Sequence, residues 1–159
     1  MKYELQDLLR IRDLRKDRAQ EALMKAKQKL TEAEKFLQEQ KDKEADFIQK
    51  KPNFIKNIYD KMFQKVQFKK NYMDLINLKI GKLDQHQIKL AIEVEKAQNK
   101  CEEAHKNVIS CTEALKEARI NLSKIDEHKK MWMEEMKALE ELTQDKELED
   151  FKTKKQDGH

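Results

Sequence analysis

Glycine occurs only twice and proline only once in 159 residues. Tight turns are built from Gly, Pro, Asn and Asp, so a fold of many short elements is excluded. A backbone cradle for phosphate is excluded for the same reason, and no Gly-x-x-x-x-Gly-Lys or Gly-x-Ser-x-Gly motif is present. Cysteine is scarce. Cys101 and Cys111 stand ten residues apart, about 15 Å along a helix, too far to bond to each other. They read as small buried hydrophobes in a reducing compartment. No run of about 20 apolar residues exists to cross a membrane. The opening Met1-Lys-Tyr-Glu-Leu-Gln-Asp carries no apolar run, so no signal peptide is expected. His86, His105, His128 and His159 are scattered. Cys101 and His105 have the four-residue spacing of a helical ligand pair but lack further ligands. No metal, no cofactor and no catalytic site is expected, and the chain reads as a non-enzyme.

What is abundant is charge and regularity. Charged residues make up 42% of the chain and hydrophobic ones 38%, a balance that would suggest disorder if the apolar residues were scattered. They are not. From Ile55 to Leu139, steps of three and four meet Ile55, Tyr59, Met62, Val66, Met73, Ile76, Ile80, Leu83 and Leu90. They continue through Val94, Ala97, Cys101, Ala104, Val108, Cys111, Leu115, Ala118, Leu122, Ile125, Trp132, Met136 and Leu139. Only Lys69, Gln87 and Lys129 interrupt the stripe. A seven-residue repeat held in one frame predicts a coiled coil, and one helix over that span would run roughly 130 Å. A second seam follows Ala19, Leu23, Ala26, Leu30, Ala33 and Leu37, with Gln40 and Glu44 weakening it before Phe47. Ahead of it, Leu5, Leu8, Leu9, Ile11 and Leu14 form a wider amphipathic stripe beside Arg10, Arg12, Arg15 and Arg18. The spacing there also fits an eleven-residue repeat, which predicts a stutter.

Two seams in one chain predict an all-α fold, a long antiparallel two-helix coiled-coil hairpin over 1–159. The first helix is placed at about 3–58 with a kink near Pro52. The tip falls at about 60–67, the second helix at about 68–150, and a frayed tail at 152–159. Facing pairs are expected to be Leu23 with Ala104, Ala26 with Cys101, Leu30 with Ala97, Ala33 with Val94 and Leu37 with Leu90. Gln40 then meets Gln87 as a register-fixing polar layer. A turn at Pro52 is the rival; it explains the proline but leaves Ala97 to Ala118 uncovered. In the favoured register the second helix overhangs beyond about Leu122, leaving Trp132, Met136 and Leu139 exposed for a partner. A monomeric hairpin is preferred over an antiparallel dimer, although both bury similar seams.

Charge is distributed unevenly although the net is only +4. Seven lysines between Lys50 and Lys70 face one acid, Asp60, while ten acids between Asp126 and Asp150 face four lysines. The lysine run, interleaved with aromatics, admits a nucleic-acid reading. Its lysines are spread around the helix instead of stacked on one face, so no nucleic-acid partner is expected.

Three stretches carry a family resemblance: Tyr3-Glu-Leu-Gln-Asp-Leu-Leu-Arg-Ile-Arg, Asp17-Arg-Ala-Gln-Glu-Ala-Leu, and His128-Lys-Lys-Met-Trp-Met-Glu-Glu. With a coiled coil of hairpin length between them, the chain resembles the YscO/FliJ family of type III secretion and flagellar export proteins. It is most similar to chlamydial-type YscO members. The resemblance implies a coiled coil similar to the central stalk of rotary ATP synthases, placed in or under a hexameric secretion ATPase. It implies a link to the export-gate protein and the handling of export chaperones. The location implied is cytoplasmic, peripheral to the inner membrane through the secretion apparatus, with no direct membrane insertion. Leu5, Leu8, Leu9, Arg10, Arg12, Trp132 and Met136 become candidates for the ATPase side. Tyr59, Phe63, Phe68 and Tyr72 become candidates for the tip. A general coiled-coil scaffold or chaperone adaptor with no ATPase role is the alternative, and a basic nucleic-acid-binding helical protein stands behind it.

Overall fold

Lys, Glu, Gln, Ala and Leu dominate the chain, and all are strong helix formers. The computed structural model describes residues 2–64 and 70–157. Two helices occupy nearly all of them, α1 (Gln6–Phe63) and α2 (Lys70–Asp157), and the fold is an all-α antiparallel helical hairpin. A turn precedes α1, closed by Gln6 N–H on the Tyr3 carbonyl at 3.1 Å. Asp7 sits in the first turn of α1, and Lys61 and Lys154–Lys155 lie in the last turns of α1 and α2, each matching the helix dipole. Residues 65–69, which take in the second half of the expected tip at 60–67 and the expected start of the second helix, lie outside the described residues. Residues 60–63 still belong to α1.

α1 runs through Pro52 without interruption. The proline withholds one hydrogen bond from the preceding turn. It stands on the exposed side of the helix, next to the exposed Ile48, where water can serve the freed carbonyl. α2 likewise continues past the expected end near 150, to Asp157.

The chain divides into two compact units. In one, Met24–Ser110, the ends of the two long helices nearest the tip pair with each other. Its core is a thin line of Ala26, Gln40, Met62, Ile76, Leu90 and Ala97. Inward positions on α1 alternate by four and three from Ala26 to Phe47, then take two steps of four, to Lys51 and Ile55. Two fours in succession make a stutter, which locally unwinds the supercoil, and it falls beside Pro52. α2 stutters too, through Tyr72, Ile76 and Ile80. Tyr72 therefore turns inward, and Met73, expected in the seam, is exposed.

The pairing register differs from the expected one. Lys51 Nζ donates to Gln87 Oε1 at 2.7 Å and to Asp84 Oδ1 at 2.6 Å, and Phe47 meets His86 edge-on at 4.7 Å between centroids. Leu30 and Glu34 share a groove with Cys101 and His105. The Gln40–Gln87 layer does not form, and Ala26 is not the residue opposite Cys101. Relative to expectation the strands of the coil are displaced by roughly one heptad. Such a displacement carries every a onto an a and every d onto a d, so the apolar pattern alone does not oppose it. The cost is visible at Gln40, which is 6% exposed and whose Oε1 has no hydrogen-bond partner.

The other unit joins Met1–Leu23 to Cys111–His159. Its buried residues are Tyr3, Leu115 and Ile125. Inward positions run from Leu5, in the turn before α1, to Leu8, Arg12, Lys16, Ala19 and Leu23 on it, and again contain two steps of four. This is the expected stutter, but Arg12 and Lys16 occupy the inner line while Ile11 and Leu14 are exposed. The long aliphatic stems of Arg and Lys can cover a seam while their charged heads reach polar partners.

Candidate protein-interaction surface

Trp132 was expected to stand uncovered, and it does not. Tyr3, 6% exposed, lies against it with ring centroids 5.1 Å apart and planes tilted by 54°. A buried phenol needs a partner for its hydroxyl. Tyr3 O–H is hydrogen-bonded to His128 Nδ1 at 2.5 Å, and the two rings lie 5.8 Å apart. The overhang thus begins later than expected, because Ile125 is buried and Trp132 half-buried. The signal for Tyr3 was available: it lies two residues ahead of Leu5, at the head of the Leu5–Leu9 stripe, and it is the one aromatic near the start. It was missed because the expected register ended the pairing about a heptad too early.

Of the other residues expected at this end, Leu5, Leu8 and Leu9 are half-buried. Arg10 is exposed and pairs loosely with Asp7 at 3.6 Å. Arg12 Nη1 donates to the backbone carbonyl of Asn121 at 3.0 Å, so its guanidinium is engaged across the helix pair. Lys16 bridges Asp13 at 3.2 Å and Asp17 at 3.3 Å. The hydrogen bonds its ammonium donates, first to Asp13 and then to Asp17, hold its pKa above the ordinary lysine range. Met136 is half-buried. Past it, every described side chain from Lys137 to Lys155 is exposed. An open groove of about 480 Å³ runs along this part of α2, lined by Trp132, Met133, Met136, Leu139, Thr143 and the polar side chains between them.

Near the tip, Tyr59 is half-buried and stacks on Phe63 at 6.1 Å with an interplanar angle of 17°. Phe63 is exposed and Tyr72 half-buried. Phe68 lies outside the described residues. The lysine run is partly committed within the fold: Lys50 pairs with Asp46 at 3.1 Å, and Lys51 with Asp84. Lys51 could have been found from sequence, since it falls on the a position one heptad after Glu44. Cys101 and Cys111 are not joined in a disulfide, and both are half-buried. Among the described residues no three His, Cys, Asp or Glu side chains gather in a way that could hold a metal ion, and no helix is long and apolar enough to cross a membrane.

The class defined by these features is a charged two-helix coiled coil with an open, partly apolar groove where α2 continues past the pairing. A family model described as type III secretion protein YscO matches residues 5–154. The chain belongs to the YscO family of type III secretion proteins. No curated protein and no solved structure matched it.

Proposed function

We propose that the chain is a non-enzymatic stalk or adaptor of a type III secretion ATPase complex, as in the likeness to flagellar FliJ proteins, coupling the ATPase ring to the export gate. It works in the cytoplasm and reaches the inner membrane only through the secretion apparatus. The observation that carries this reading is the family match over 5–154 on a chain built as an antiparallel helix pair. A coiled coil transmits position along its length, and an asymmetric one inside a six-fold ring favours one ATPase site over the others at any moment. Leu5, Leu8, Leu9, Arg10, Met136 and the Tyr3-covered Trp132 would meet the ATPase, with Arg12 holding that end together. Tyr59, Phe63, Phe68 and Tyr72 would meet the gate.

Capture of the hexameric ATPase of the same secretion system by the full chain tests this. Wild type should bind it and alter its hydrolysis rate, and Leu9→Asp or Met136→Asp should weaken both. Absence of binding and of any rate change overturns the reading. A second reading, an adaptor that handles export chaperones with no ATPase role, is favoured by the exposed methionines Met131 and Met133, since thioether side chains adapt to varied partners. Chaperone capture without ATPase capture would select it. The nucleic-acid reading loses ground because Lys50 and Lys51 are already paired within the fold.

A further inference from the structure

The part of α2 that continues beyond the helix pair has a distinct chemistry. In the heptad frame that places Trp132 at d, the inner line continues through Met136 and Leu139 to Thr143. Met133 and Leu142 stand on its two flanks. Met133 is 55% exposed, Leu139 54% and Leu142 57%, so this short stripe is open to water. The e and g positions that border a seam choose its partner through charge. Here they read Met133, Glu135, Glu140, Leu142, Glu147 and Glu149. Every charged one is a glutamate, and neither lysine nor arginine occurs among them.

The geometry points to a docking site on residues 132–149 for a basic amphipathic helix of another protein, with leucine-like side chains along its seam and Lys or Arg at its own e and g positions. Such a helix lays its apolar edge into the Trp132–Met136–Leu139 groove and sets its cations against Glu135, Glu140, Glu147 and Glu149. The methionines suit this role, because flexible thioethers accept helices of differing shape. A second copy of the same segment is a poor occupant. Parallel or antiparallel, it would bring glutamates against glutamates, a repulsion that works as a specificity device. The apolar stripe is only about two heptads long, so affinity rests on charge and falls with salt. This deepens the stalk reading and rests on its assignment of Trp132 and Met136 to a partner.

The test uses the full chain and two synthetic helices of about three heptads, one with Leu at a and d and Lys at e and g, the other with Glu in place of Lys. Binding is read from the emission of Trp132 and by calorimetry at two salt concentrations. The Leu/Lys helix should bind roughly tenfold or more tightly than the Leu/Glu helix, and less tightly at the higher salt. Glu140→Lys with Glu147→Lys balances the border at two glutamates and two lysines and should remove the preference, and Met136→Asp should abolish binding of both. Equal binding of the two peptides overturns the inference. So does an unchanged preference in the double variant, or equal binding of an unstructured Gly/Ser/Lys peptide of the same charge. Self-association of the chain that blocks the peptide also overturns it, in favour of a second copy. ATPase capture without peptide binding leaves the stalk reading standing and removes this inference. Peptide binding without ATPase capture supports the inference and removes the stalk reading.

Discussion

Removing the Tyr3 side chain should open one end of the helix pair and leave the rest folded. A tyrosine that is 6% exposed buries on the order of 150–200 Å². At about 25 cal/mol per Å² that burial contributes up to about 4–5 kcal/mol locally. The tilted contact with Trp132 adds about 1 kcal/mol, and the hydroxyl bond to His128 about 1 kcal/mol more. Because the residue lies ahead of α1, the end can open alone, and global stability should fall by less than these figures. Tyr3→Phe isolates the hydroxyl. His128 is exposed, so water replaces the lost donor and the cost stays at about 0.5–1 kcal/mol. The chain has one tryptophan, and it is the residue Tyr3 covers, so its emission reports the contact directly. Tyr3→Ala should shift Trp132 emission to the red and speed amide exchange in the first turns of α1, while far-UV dichroism changes little. Tyr3→Phe should leave emission near wild type. If Tyr3→Ala leaves both Trp132 emission and exchange unchanged, Tyr3 does not cover Trp132 and the account of this end is wrong.

The register can be trapped chemically: with Cys111→Ser, Ala33→Cys should form a disulfide with Cys101 on oxidation and Ala26→Cys should not, as read by mobility on a non-reducing gel. The reverse yields would restore the originally expected pairing. Ile76→Ala empties a fully buried site and should cost about 3 kcal/mol in urea unfolding; a cost under about 1 kcal/mol would mean the seam near the tip is not packed as described. Gln40→Leu removes a buried carbonyl oxygen that has no partner and should stabilise by about 1 kcal/mol or more. Destabilisation there would show that the amide is satisfied in solution.

Much of this architecture was legible because a coiled coil writes its contacts into a periodic sequence. The scarcity of Gly and Pro leaves one turn to place, and two seams in one chain can cover each other by folding back. The stutter before Ala19 was readable from spacing alone. The inward turn of Lys51, Arg12 and Lys16 was harder to see, because a charged residue on the inner line looks like a surface residue until its partners, Asp84, the Asn121 carbonyl and the Asp13–Asp17 pair, are in place. The candidate surface was readable only in part. Met136 and Leu139 stood out as seam residues past the expected end of pairing, but their acidic border acquires meaning only once the pairing is seen to end near Trp132.

By itself the sequence determined the helical class, the antiparallel hairpin, the a/d frame, the polarity of charge and the family. What tertiary structure decided was which heptad faces which. Displacing one helix by about seven residues leaves every apolar position on the same face, so hydrophobic periodicity is blind to it. The choice falls to the few residues that break the period: Tyr3 closing on Trp132 and His128, and Lys51 bridging Asp84 and Gln87. Those contacts hold the observed register even though Gln40 is left without a partner.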